Sequence, residues 1–178
     1  MAGPKRRRDR KPTKAIKKVK DPWGNEQQVK TTVSGADAAV VGGRFISGVF
    51  VASNTKLVGV DLTDADLRGC QMFLCDLRGA HLLGANLERV DVHGSDLRMC
   101  DLRDAQLDRA NLAECDAREA LFEGASLRLC NLEKTDFRGA DLYGCVLCDA
   151  RVGRARFEGA HLEEADLSDA NLLGATYD

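Results

Sequence analysis

The chain has 178 residues, 44% hydrophobic and only 5% aromatic; that is enough for one domain with a buried core, and the core must be aliphatic and regular, because irregular cores draw on aromatic volume. No stretch approaches the roughly 20 apolar residues of a membrane span, and seven cysteines without a secretory leader exclude a disulfide framework, predicting reduced thiols in an intracellular, cytoplasmic setting. The net charge of −2 conceals a split: residues 1–20 hold ten Lys or Arg against one Asp, +9, and the remainder holds 16 bases against 27 acids, −11.

Residues 1–20, MAGPKRRRDRKPTKAIKKVK, form a basic arm. With Pro4, Pro12 and almost no apolar content it cannot fold alone and is expected to be disordered or extended. Its bases are Lys5, Arg6, Arg7, Arg8, Arg10, Lys11, Lys14, Lys17, Lys18 and Lys20. Such an arm serves as a solubility tail, as an import signal (KRRRDRK resembles a nuclear localisation patch), or as a contact that neutralises phosphates on nucleic acid or another anionic surface. The last is the preferred reading, and it admits a nuclear or nucleoprotein location.

Residues 21–54 make up an N-terminal segment with turn signals and one short β-like run, VKTTV. In GGRFISGVFVASN, Phe45 and Phe50 lie five apart but out of frame with the leucines that follow. This spacing predicts a degenerate first coil over 43–54 with a small slip, and Trp23 as a partial cap over its open end.

From 55 to 178 a five-residue phrase repeats. Every fifth residue from Leu57 to Tyr177 is Leu, Met, Val, Ala, Phe or Tyr, 25 positions without an insertion. Two residues before each comes a small side chain such as Ala65, Cys70, Ala80 or Ala170, with Ser95 and Thr135 as polar departures. Between the two, Asp or Asn fills 14 of 24 sites, a choice suited to bonding nearby turn amides. A period of five fits neither a helix at 3.6 nor a strand at 2; it fits a square coil with one side and one corner per pentad.

This pattern resembles the pentapeptide-repeat family, with the phrase A(D/N)LXX. The resemblance implies an all-β fold, a right-handed quadrilateral β-helix of six to seven coils in which residues 20 apart stack. At about 4.8 Å per layer the solenoid is a rod about 30 Å long.

Stacking by twenties sorts the side chains. One interior column reads Leu77, Leu97, Ala117, Phe137, Phe157, Tyr177, so rings gather at the C-terminal end and predict a closed, well-filled last coil. Cys70, Cys75, Cys100, Cys115, Cys130 and Cys145 fall in the inward slot as structural thiols. Cys145 and Cys148 form a C-x-x-C with one member inward and one outward, unsuited to redox or zinc chemistry, which leaves Cys148 as an exposed, modifiable thiol. His81, His93 and His161 point outward, and no nucleophile has a base. The expectation is no catalytic residue, no metal, no cofactor, and no enzyme activity.

An outer column stacks Arg78, Arg98, Arg118 and Arg138. It reads either as a docking strip for phosphates or carboxylates or as a solvated ion-pair ladder with Asp76, Asp96, Asp116 and Asp136. In the last coil Leu162, Leu167, Leu172 and Tyr177 present an apolar layer and strand edges, predicting an interface with a second copy, as a tail-to-tail homodimer, or with a partner subunit.

These features point to a non-enzymatic structural or adaptor protein. Its rigid rod docks in a larger, possibly nucleoprotein, assembly while the arm contacts nucleic acid or another anionic surface. The resemblance carries an alternative: some pentapeptide-repeat proteins mimic duplex DNA and bind bacterial DNA gyrase, inhibiting or protecting it. An acidic body is compatible with that, whereas the arginine column and the basic arm depart from it.

Overall fold

Each pentad brings five backbone N–H groups, and the fold follows from where they go. In the computed structural model, the structure describes the strands Lys17–Lys20 (β1), Glu26–Val29 (β2), Arg44–Ile46 (β3) and Val49–Val51 (β4), and residues 51–177 throughout.

In the pentad 76–80, Asp76 N–H donates to the Thr55 carbonyl of the previous coil (2.9 Å), while Leu77 and Gly79 N–H donate to the Asp96 and Arg98 carbonyls of the next (2.8 and 2.9 Å). Ala80 N–H closes the corner on the Leu77 carbonyl (2.9 Å). The fifth donor, Arg78 N–H, finds no carbonyl and is met by the Asp76 carboxylate at 3.4 Å. The recurrent Asp or Asn thus supplies the acceptor that the coil itself lacks.

The inter-coil bonds make four columns of parallel bridges, starting at Val51, Lys56, Asp61 and Asp66, and every bridge joins residues 20 apart, from Val51↔Gln71 to Arg156↔Thr176. Each side carries one bridging residue rather than a long strand, because the corner consumes the rest of the pentad. The result is a four-sided coil of about six turns. Its corner residue is always left-handed: ten glycines and fifteen other residues, among them Leu74 at φ 56° and Arg109 at φ 62°, occupy that place.

Inside, the central and small columns are 0–5% exposed from Leu57 to Phe157. The rings of Phe137, Phe157 and Tyr177 stack with centroids 5.3 Å apart, and Phe122 meets Phe137 edge-on at 5.6 Å. The last coil is not closed, however. Leu162 and Leu167 are partly exposed, Leu172 is 41% and Tyr177 44% exposed, because no further layer covers them among the described residues.

The N-terminal part departs from a slipped coil. Strands β3 and β4 pair antiparallel with Phe45 opposite Phe50, so their spacing of five is met across a hairpin. Among the described residues the coil begins at Val51, which bridges Gln71, followed by the Ala52 N–H to the Gln71 carbonyl at 2.7 Å. Strands β1 and β2 also pair antiparallel, Lys17 opposite Val29 and Lys20 opposite Glu26. Three of the arm's bases are therefore in a strand, as is Val29, the first residue of VKTTV; the rest of that run lies outside the described residues. Trp23 and the bases Lys5, Arg6, Arg7, Arg8, Arg10, Lys11 and Lys14 lie outside the described residues.

Candidate functional site

Four faces define what the rod can bind. On the face that starts at Lys56, the arginine column exists, but its guanidiniums are engaged. Arg98 holds Asp96 in a fork, Nε to Oδ1 at 2.8 Å and Nη2 to Oδ2 at 2.6 Å. Arg78, Arg118 and Arg138 grip Asp76, Asp116 and Asp136 in the same way at 2.6–2.8 Å.

Longer contacts tie successive rungs, Arg78 to Asp96 at 3.6 Å and Arg98 to Asp116 at 3.5 Å. The guanidiniums remain 36–43% exposed, so the pairs are screened. Each fork, above all its side-chain hydrogen bonds, holds the Asp76, Asp116 and Asp136 carboxyls below the usual carboxylate range. Six bases and six acids leave this face neutral. The forks and the longer contacts between rungs make an ion-pair ladder along this face.

The signal for the fork is Asp-x-Arg, a spacing that places both side chains on the same outer side. Arg68 with Asp66, and Arg103 with Asp101, make the same fork on other faces. The column thus adds rungs to a unit that is already complete within one pentad.

The acidic surplus lies elsewhere. Residues 51–177 hold 14 bases and 23 acids, −9. The face through Asp61, His81, Asp101, Leu121, Asp141 and His161 carries Asp61, Asp64, Asp101, Asp104, Glu123, Asp141, Glu163 and Glu164 against Arg103 alone, −7. The face through Asp66 carries −2, and the one through Gln71 is neutral. Sequence reasoning noted an acidic body but not this polarity, which appears only when charges are summed in register 20.

On the acidic face a groove of about 240 Å³ is lined by Leu83, Arg103, Asp104, Glu123, Gly124, Tyr143 and Gly144. Arg103 is committed to Asp101 at 2.7 Å, whereas the Asp104 and Glu123 carboxylates enter no ion pair among the described residues. Tyr143 is 41% exposed beside Glu164, whose hydrogen bond raises the phenol pKa.

The predicted thiols fall as placed: six are buried and all seven are free. Cys148 is held by the Asp166 carboxylate, Sγ to Oδ2 at 2.9 Å. That bond raises the thiol's pKa and, together with two from Ser168, lowers the carboxyl to about 2, so the half-buried thiol is less reactive than position alone implies. His93 stacks on Phe73 at 5.3 Å and meets Asp91 through Nδ1 at 2.8 Å. Among the described residues no His, Cys, Asp or Glu group has the geometry of a metal site.

A family model described as pentapeptide repeats (8 copies) matches residues 75–104, 100–144 and 140–176. Similar solved structures include a pentapeptide repeat protein from the Arabidopsis thaliana thylakoid lumen, 27% identical over 53% of this chain and 66% of that one, with a TM-score of 0.51. Another is HetL of a Nostoc cyanobacterium, involved in heterocyst differentiation regulation, 22% identical over 69% and 85% of the two chains, TM-score 0.36. A third is QnrB1, a plasmid-mediated fluoroquinolone resistance protein, 18% identical over 71% and 84%, TM-score 0.39. This chain spans just under two thirds of the length of the Arabidopsis protein. Among curated proteins none matches. Proteins of this kind form right-handed quadrilateral β-helices, in keeping with the four columns of bridges.

Proposed function

Because this chain belongs to the pentapeptide-repeat family, we propose that it is a non-enzymatic adaptor: a rigid β-helix that docks in a larger intracellular assembly while its basic arm contacts nucleic acid or another anionic surface. The observation that carries this reading is the separation of charge, ten bases among the first 20 residues beside an acidic body. A rod stacked through 20-residue layers holds its surfaces at fixed spacing. The apolar layer of Leu162, Leu167, Leu172 and Tyr177 is the protein-binding end in this reading, supported by the exposure of Leu172 and Tyr177.

The test is affinity purification of the tagged full chain with and without nuclease. Nucleic acid should co-purify, and Arg6→Gln, Arg7→Gln and Arg8→Gln together should flatten the log–log salt dependence of binding by about 2–3. Leu172→Glu should lose the protein partner and keep the nucleic acid. Binding that is unchanged when residues 1–20 are removed would sink the proposal.

The concentrated acidity of one face favours a second reading, a DNA-like surface that binds gyrase. A supercoiling assay in which the protein neither inhibits gyrase nor protects it over a wide concentration range eliminates that alternative.

A further inference from the structure

We propose that residues 1–16 of this same chain dock along the acidic face, so that the arm is held by the rod's own carboxylates until a polyphosphate displaces it. The docking supplies a regulation to the nucleic-acid reading and in that respect rests on it. The charges match: seven bases and one acid give residues 1–16 a charge of +6, and the face carries −7. The other faces do not compete. The arginine ladder neutralises its own side, and the remaining two carry −2 and 0.

The acidic face is also shaped for cationic side chains. Asp104 and Glu123 stand without an ion pair among the described residues at the edge of the groove. Gly124 and Gly144 add no side chain to its lining, and the ring of Tyr143 offers a surface for an arginine or lysine head. Arg103, the one base present among these residues, forks onto Asp101 and reaches Glu123 and Asp104 only through space, so a single positive charge is shared among three carboxylates.

The arm is longer than the face it would cover. Sixteen extended residues reach at most about 55 Å, against about 30 Å for six layers at about 4.8 Å. Exposed ion pairs are individually weak, but tethering puts the arm at an effective concentration on the order of millimolar. An array of weak pairs on a tether docks at low salt and yields to a denser anion, which is the behaviour a nucleic-acid switch needs.

The test uses the full chain at about 50 mM salt, where screening is weak. Zero-length carbodiimide coupling read by mass spectrometry should join Lys5, Lys11 and Lys14 to Asp104, Glu123 and Glu163 within one molecule, and spare Glu119 and Glu133 on other faces. An excess of a single-stranded oligonucleotide should abolish these links.

The variant Asp64→Asn, Asp104→Asn, Glu123→Gln and Glu163→Gln removes four charges at positions that tolerate it, since Asn suits the left-handed corner of the two Asp sites. It should bind the oligonucleotide at least threefold more tightly than the unaltered chain. Links scattered over all four faces, or an unchanged affinity in the variant, would overturn the proposal. Links confined to the acidic face in a chain that never binds the oligonucleotide would uphold the docking and overturn the nucleic-acid reading instead.

Discussion

The small inward slot accepts Ala, Cys, Ser, Thr and Val, and its thiols and hydroxyls have a shared use. Cys100, Cys115, Cys130 and Cys145 donate to the carbonyl of the central residue 23 positions earlier, Leu77, Val92, Leu107 and Phe122, at 2.8–3.1 Å. Thr135 makes the same bond to Leu112 at 2.8 Å, and Ser95 to Met72 at 3.0 Å. A thiol in this slot therefore fills volume and adds a weak bond between layers. Burial pushes the Cys70 thiol up to about 11 and those of Cys100, Cys115, Cys130 and Cys145 up to about 12. In the native protein at pH 8 a small alkylating reagent should modify Cys148 alone, and slowly, with the other six following only on unfolding. Asp166→Asn should speed Cys148 severalfold by removing the carboxylate that favours the protonated thiol. Rapid labelling of two or more thiols in the folded chain would contradict this assignment.

At the scale of the pentad, stability depends on whether the fifth N–H has an acceptor. Asn111 shows the complete arrangement: its Oδ1 accepts from Ala113 N–H at 3.3 Å, its Nδ2 donates to Asp91 at 3.0 Å, and Asn131 donates back to it at 3.1 Å. Leu121 occupies the same slot on the acidic face, 38% exposed, and among the described residues the Glu123 N–H two positions on has no acceptor. Leu121→Asn, flanked in register by Asp101 and Asp141, should gain about 0.5–1.5 kcal/mol. The thermal midpoint should rise by about 1–6 °C, and a lower midpoint would show that Leu121 contributes through packing instead. That Asp and Asn prefer this slot is readable from the sequence as a turn preference. Which amide they satisfy is not, because the answer depends on which donors the neighbouring coils have already taken.

Across the whole rod, the forked carboxylates set the response to acid. Asp66, Asp76, Asp101, Asp116 and Asp136 all titrate below their ordinary range, chiefly through side-chain hydrogen bonds from arginine. A depressed folded value stabilises above the unfolded value of about 3.9 and loses that contribution as pH falls through the folded one. The unfolding midpoint in urea should therefore hold between about pH 7 and 5 and decline below about pH 4, as measured by circular dichroism; a midpoint that rises on acidification would deny the ladder any role. Much of this architecture was legible beforehand. A period of five maintained from Leu57 to Tyr177 dictates register 20, and register 20 dictates which columns are buried, whether thiols point inward and which arginines align. The sequence by itself determined the coil, because one repeated local geometry leaves each side chain a single choice of inside or outside. Only the tertiary structure decided that Phe45 and Phe50 pair across a hairpin, that the arginines grip their own aspartates, that Tyr177 is 44% exposed, and that the acidic surplus gathers on one face. Those outcomes turn on contacts between atoms far apart in the chain, where a spacing of five or a sum of charges fits more than one arrangement and packing selects among them.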